Sequence, residues 1–329
     1  MKRILIALVA FVLGAAGLPA DNYGMSSFPV MMLESYGARI LSLADTGVAL
    51  TGDLGALTAN PAGIAGIERM GFSTMKLDWM FDTSFYNFAA VYPLGEKGKS
   101  GVLGFTAVLF DNGGFDAVVD ETATGGSAGT DFLFGFSYAN NNFNFFNRKT
   151  AEKIQRNWGV TVKFARSVLA GYGASALAFD AGLNYSFSVP ALGMKDKADT
   201  LSFGISVKNL ALVLAGFTDS GTTTIPWYLN CGFAWQFVRT VRHTVSLLTA
   251  VSKPSDNDLL LSSGLEYGYR NTIYLRCGYR FVGREHESLS FGFGLNFEVS
   301  DRLAFRLDYA NIDLNEFGKS DTFSLSVVF

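Results

Sequence analysis

Charge, cysteine, histidine and proline are all scarce in this chain of 329 residues. Only 17% of its residues are charged, against roughly one quarter in soluble domains, so its surface does not face water throughout. The 26 Lys plus Arg and 29 Asp plus Glu leave a formal net charge of −3. Without a basic excess there is no electrostatic footprint for nucleic acid. Two cysteines, Cys231 and Cys277, cannot staple a disulfide scaffold; on the strand assignment below both fall on outward rows, three strands apart, and read as small hydrophobes. The two histidines, His243 and His286, fall at opposite rims of that assignment, which argues against a Ser-His dyad or a His-based metal site. No apolar run reaches the roughly 18 residues of a spanning helix; the most apolar internal stretch, 205–217, is broken by Lys208 and Asn209. Gly125-Gly126-Ser127-Ala128-Gly129 lacks the Lys-Ser/Thr of a phosphate loop and reads as a flexible tip. The expectation is a protein with no catalytic residues, metal ligands or cofactor.

What the chain has instead is 36 Gly, 30 Phe and 13 Tyr in a sequence that is 49% hydrophobic. This content excludes intrinsic disorder. At the N-terminus, Lys2 and Arg3 precede an apolar run over 4–13 and then small residues through Ala20. That is the layout of a secretory signal peptide over residues 1–20, with cleavage expected after Ala20 or after Gly17. Its removal would leave 24 basic against 29 acidic residues, a mature net charge of −5. An exported, hydrophobic chain without spanning helices can enter a membrane as a closed barrel, which satisfies every backbone group in lipid.

The strand pattern agrees. Leu289, Phe291, Phe293, Leu295, Phe297 and Val299 share one parity, and Ser288, Ser290, Gly292, Gly294, Asn296 and Glu298 the other. Period two places them on opposite faces, one fatty and the other small or polar, as lipid outside and a filled lumen inside require. Segments of this kind occur at about 69–80, 83–94, 99–110, 130–140, 156–168, 175–188, 199–212, 226–237, 242–253, 257–268, 271–282, 287–299, 302–311 and 319–329. The fold expected is therefore all-β, a transmembrane antiparallel β-barrel of about fourteen strands over residues 68–329. Pro93, Pro190, Pro226 and Pro254 fall at segment ends, where a missing donor costs little. With both ends of the barrel periplasmic, the long 111–129 and 213–225 connections and the 282–286 turn lie outside the cell. The 140–155 link, with Phe143, Phe145, Phe146, Arg148, Lys149 and Lys153, lies inside, as an interfacial anchor or a docking surface. The chain ends in an alternating strand closed by Phe329, which resembles the signal read by outer-membrane barrel assembly machinery. The location expected is the outer membrane of a diderm bacterium, surrounded by outer-membrane lipid.

Residues 21–67 do not alternate. Small residues dominate Gly37-Ala38-Arg39, Gly47-Val48-Ala49 and Asn60-Pro61-Ala62-Gly63, a pattern suited to short helical turns and a tight turn at the last motif. Too poor in large apolar residues to build a core of its own, this segment suits burial within a lumen walled by small residues. The order of signal peptide, these motifs and a barrel ending in Phe resembles the FadL superfamily, with the closer likeness to PorV/PorQ-type proteins and their spirochaetal outer-membrane relatives. The resemblance implies an N-terminal hatch plugging a fourteen-stranded barrel, with Asn60, Pro61, Ala62 and Gly63 at the hatch turn. FadL-type members pass long-chain fatty acids or other hydrophobic molecules, which leave sideways through a gap at a kinked third strand. PorV-type members serve protein secretion. Here the third segment, 101–110, carries Gly104 but no Pro.

Lys163, Asp180, Lys208, Glu266, Arg276, Arg280, Glu298, Arg306 and Asp308 take inward parity. They read mainly as pairs with one another and with the hatch backbone. Arg276, Arg280 and Arg306 are also candidates to hold a fatty-acid head group in the lumen. The function expected is hatch-gated uptake of hydrophobic solutes such as long-chain fatty acids. The alternative is a PorV-like secretion or assembly partner with no small-molecule transport.

Overall fold

The computed structural model describes residues 28–31, 35–119, 122–127, 129–141, 154–169, 171–190, 198–217, 223–281, 288–300 and 302–329. The expected signal peptide, residues 21–27 of the hatch, most of the 140–155 link, the 282–286 turn and His286 lie outside the described residues. The period of two in the sequence is realised as fourteen strands closed into an antiparallel barrel. They are β1 (Gly71–Asp78), β2 (Ser84–Pro93), β3 (Val102–Asp111), β6 (Gly129–Asn140), β7 (Ile154–Leu169), β8 (Tyr172–Pro190), β9 (Ala198–Ala215), β10 (Tyr228–Arg239), β11 (His243–Pro254), β12 (Leu260–Tyr269), β13 (Ile273–Phe281), β14 (Ser288–Ser300), β15 (Leu303–Asp313) and β16 (Lys319–Val328). The wall closes where β1 meets β16, with Gly71 opposite Val328. The fourteen expected segments are the fourteen wall strands. A small hairpin, β4 (Gly114–Val119) with β5 (Thr122–Ser127), stands apart from the wall in the 111–129 connection, which had been read only as a loop.

Alternation sets the two surfaces. Phe132, Phe134 and Phe136 on β6, Val160, Val162 and Phe164 on β7, and Leu289, Phe291, Phe293 and Phe297 on β14 are exposed on the outside. Between them, buried Ser137, Thr161, Asn184, Ser206, Ser262 and Ser290 point inward. A closed wall that presents this much apolar surface belongs in hydrocarbon, where closure leaves no backbone edge to water or lipid. Among the described residues no helix is long and apolar enough to cross a membrane. Cys231 and Cys277 are both free; Cys231 keeps outward parity but is covered within the wall, between its cross-strand neighbours Ile205 and Val251.

The third wall strand is regular. β3 keeps an unbroken register with β2 over its whole length and with β6 likewise. The gap that the family resemblance implies at this strand is therefore not formed there. Gly104 serves the hatch instead, since a Cβ at that position would strike the Leu57 side chain. The register slips elsewhere, between Phe179 and Ala181 on β8 opposite β9. There Asn209 adopts a left-handed backbone (φ 57°) and its N–H donates to Asp180 at 2.8 Å. Lys208 and Asn209, which interrupt the apolar stretch in the sequence, are the residues of this slip. Of the four prolines expected at segment ends, Pro93, Pro190 and Pro254 close their strands, while Pro226 precedes β10.

Candidate functional site

The lumen is filled from within by residues 35–66, folded as the short helical turns Ala38–Leu41, Gly47–Ala49, Ala56–Ala59 and Pro61–Gly66. Three- to six-residue turns cannot stand alone in water; the wall holds them. In the Asn-Pro-Ala-Gly motif Gly63 N–H donates to Asn60 O at 2.9 Å. The turn then continues as a 3-10 helix, with Asn60 as its cap accepting from Ala62 N–H and Pro61 at the first position, where a missing N–H costs nothing. Fully buried, Asn60 also donates from Nδ2 to Val48 O at 2.8 Å, Leu183 O at 3.1 Å and Ile205 O at 3.4 Å. One side chain thus ties the hatch turn to a second hatch turn and to β8 and β9. The wall makes room with glycine: a Cβ at Gly182 would collide with Asn60 Oδ1, and one at Gly204 with Val48 O. Glycine in a strand here marks close backbone approach, not flexibility.

Charge locks the other side of the hatch. Arg39 reaches Asp53 at 2.6 Å and holds Glu266 of β12 through two bonds, 2.7 and 2.9 Å. Glu266 also accepts from Arg276 Nε at 2.7 Å, and Arg276 Nη1 contacts Asp308 at 2.8 Å. Arg306 closes the circuit to Asp308 at 2.8 Å and to Asp53 at 3.4 Å. Three guanidiniums therefore face three carboxylates, two of the six groups from the hatch and four from β12, β13 and β15. Burial by itself would raise the Asp53 carboxyl, but Arg39 and then Arg306, with hydrogen bonds from Arg39 and Gly55 N–H, hold it below the usual carboxylate range. Of the three arginines proposed for a head group, Arg276 and Arg306 stand in this circuit, and Arg280 is separate, half-buried, 3.5 Å from Asp45 of the hatch. Arg39 and Asp53 carry no strand parity that would mark them in sequence, although Arg39 lies in the Gly37-Ala38-Arg39 motif. Lys163 pairs with Asp180 at 2.8 Å and donates to Asn209 Oδ1. Glu298 has inward parity but is exposed at the rim.

The two halves of the lumen differ in chemistry. At the end that holds Gly71 and Phe329, a cavity of about 190 Å³ runs beside the hatch, with the charged groups Arg39, Asp53, Arg306 and Asp308 and the apolar Ile40, Leu54 and Phe305 all in its lining. Toward the distal end an apolar cluster faces inward, formed by Leu77, Phe85, Val108, Phe110 and Leu133 with Ala174, Ala176 and Ala178 along β8, beside the buried polar side chains of Asp131, Ser167 and Thr322. Phe85 and Phe110 pack with ring centroids 4.2 Å apart. Residues 28–31 fill this chamber, with Phe28 and Val30 fully buried and the Phe28 ring 6.2 Å from that of Phe217. Their backbone is held at the chamber edge, where Val30 N–H donates to Asp131 at 3.4 Å and Asn209 Nδ2 to Met31 O at 3.4 Å. The alternate inward alanines of β8 become an apolar wall only where Phe28 and Phe217 pack with them. Among the described residues no three His, Cys, Asp or Glu side chains are grouped to hold a metal ion. His243 sits at the rim with Nδ1 2.8 Å from the Tyr267 hydroxyl.

No protein-family profile and no curated protein matches the chain. Solved structures resemble it in shape. The toluene transporter TbuX of Ralstonia pickettii is 14% identical, with 91% of this chain and 98% of that one covered at a TM-score of 0.49. The toluene transporter TodX of Pseudomonas putida is 13% identical, with 91% and 98% covered at 0.48. The outer membrane protein Omp33 of Acinetobacter baumannii is 6% identical, with 81% and 99% covered at 0.40.

Proposed function

We propose that this chain is an outer-membrane transporter that takes up hydrophobic solutes such as long-chain fatty acids through a hatch-plugged barrel. The observation that carries the reading is the apolar distal chamber. A transmembrane barrel ordinarily walls its lumen with polar groups, yet here Phe85, Phe110, Leu133 and the β8 alanines face inward around residues 28–31. Those residues occupy the chamber as an apolar ligand would. The remainder of the hatch is fixed by Asn60 and by the ion circuit. In this reading a solute entering from outside displaces residues 28–31, while 35–66 keep the passage beneath closed to free diffusion. Arg276 and Arg306 serve the hatch, and Arg280, half-buried and loosely paired, is the arginine left to meet an anionic head group.

The test is binding of a radiolabelled long-chain fatty acid, and separately of toluene, to the detergent-purified barrel. Folding is checked by heat-modifiable gel migration. Saturable binding that is abolished by Leu133→Trp, which fills the chamber, supports the reading. No binding of either solute by the folded, intact barrel sinks it. The second reading, a PorV-like partner in secretion or assembly, draws on the unbroken register of β3, which leaves that part of the wall shut. It expects a folded barrel that binds neither solute.

A further inference from the structure

The turn between β10 and β11 and the turn between β12 and β13 lie side by side at the end of the barrel that holds Gly71 and Phe329. The backbone joins them, since Arg270 N–H donates to Arg242 O at 2.7 Å. Arg270 and Asn271 both adopt the left-handed conformation (φ 52° and 54°), and Thr272 N–H donates to Tyr269 O at 3.0 Å, which makes the second turn a tight three-residue loop. Together the two turns present Arg239, Arg242, His243 and Arg270, all exposed. Neither turn carries a counter-charge: residues 236–247 and 267–275 contain no Asp or Glu. The turn between β2 and β3 at the same rim is different, because its Lys99 pairs with Glu96 at 2.7 Å and its Lys97 lies 3.8 Å from Glu68.

Aromatic rings lie directly beneath the basic groups on the outer surface. Tyr267 and Tyr269 take the outward parity of Leu261 and Leu265, and Tyr269 is paired across the ladder with His243. The Arg270 guanidinium stands 5.3 Å from the Tyr269 ring centroid, and the His243 ring stacks on Tyr267. Trp235 and Phe237 continue the belt on β10, with ring centroids 5.3 Å apart. Tyrosine and tryptophan at the end of an apolar band mark the boundary between hydrocarbon and water. Guanidiniums held one layer beyond that boundary stand at the depth of lipid phosphates, and their planar forks match phosphate oxygens bidentately.

We propose that Arg239, Arg242, His243 and Arg270 form a binding site for the head group of an anionic phospholipid in the leaflet at this end of the barrel. The phosphate would sit between Arg242 and Arg270, with the acyl chains lying along the aromatic belt. This inference does not depend on which solute, if any, the lumen carries.

The experiment is native mass spectrometry of the barrel extracted from vesicles of equal phosphatidylglycerol and phosphatidylcholine. Wild type is compared with the Arg242→Gln/Arg270→Gln double variant and with an Arg166→Gln control on β7. Wild type and the control should retain phosphatidylglycerol over phosphatidylcholine by several-fold, and the double variant should lose that preference while keeping heat-modifiable migration. Equal retention of the two lipids by wild type, or an unchanged preference in the double variant, overturns the site. If the double variant does not fold, Arg242→Lys/Arg270→Lys keeps the charge but not the fork and should show a reduced preference; an undiminished one overturns the bidentate geometry.

Discussion

The two ends of the lumen are built from the same alternating strands yet are filled in opposite ways. Near Gly71 and Phe329 the hatch meets the wall through charge: Arg39 and Asp53 complete a circuit with Glu266, Arg276, Arg306 and Asp308 beside a cavity. At the distal end residues 28–31 meet the wall mainly through apolar contact, with bonds to Asp131 and Asn209, and Val30 O accepts from the Tyr36 hydroxyl of the hatch. A buried ion circuit is costly to open, because each group it releases is left unpaired in a poorly solvated place. An apolar plug is exchangeable, because any molecule that covers the same surface recovers the same burial free energy. The difference separates a fixed part of the hatch from a replaceable one.

The most severe way to break the fixed part is Glu266→Ala, which removes the carboxylate shared by Arg39 and Arg276. A loss of about 3–5 kcal/mol is expected for stranding a buried partner. It should appear as new protease cleavage within residues 35–66 of a barrel that still migrates as folded. Gly204→Val attacks the same region by volume, since its Cβ would collide with Val48 O. About 1–3 kcal/mol of thermal stability should be lost, and unchanged unfolding would mean that the wall gives way at no cost. Asn60→Ala leaves the carbonyls of Val48, Leu183 and Ile205 without their shared donor, and roughly 1–3 kcal/mol is expected. Phe28→Ala sharpens the comparison from the other end. In a fixed core that truncation would cost about 3–5 kcal/mol; here the barrel transition should move by less than about 1 kcal/mol, with fatty-acid binding strengthened.

The smallest effect concerns pH. The Asp53 carboxyl titrates below its unfolded value, so the stability it contributes is present above the ordinary carboxylate range, near pH 4. That contribution is lost as pH falls through the depressed folded pKa. Hatch protection against protease should therefore persist at pH 4 and fail only in stronger acid, and Asp53→Asn should be unprotected at both.

Much of the wall was legible because a period of two leaves its mark on every strand. Leu289, Phe291 and Phe293 against Ser288, Ser290 and Gly292 state both faces at once, and the fourteen segments needed no tertiary information. The inward parity of Arg276, Arg306 and Asp308 came from the same rule. What that rule could not supply was which inward groups meet across the lumen, since Arg39 and Glu266 are 227 residues apart. It also missed the slip at Lys208 and Asn209, where the count of residues between strands changes while the composition gives only an interruption. The apolar chamber escaped for a related reason. Alanine at positions 174, 176 and 178 is compatible with a polar lumen on composition, and becomes a hydrophobic wall only when Phe28 and Phe217 are set against it.

Closure of the wall also constrains how the molecule is made. The last seam joins β1 to β16, so Gly71 pairs with Val328 only after the whole chain between them has been laid down. In the closed wall Asn60 lies against β8 and β9, and Arg39 against β12. Chains do not thread through closed loops, and a completed cylinder offers the hatch no sideways entry. The hatch is therefore either enclosed as the strands close or enters through an open mouth, and in both cases the contacts that seal the lumen also fix how far β8, β9 and β12 stand from residues 35–66.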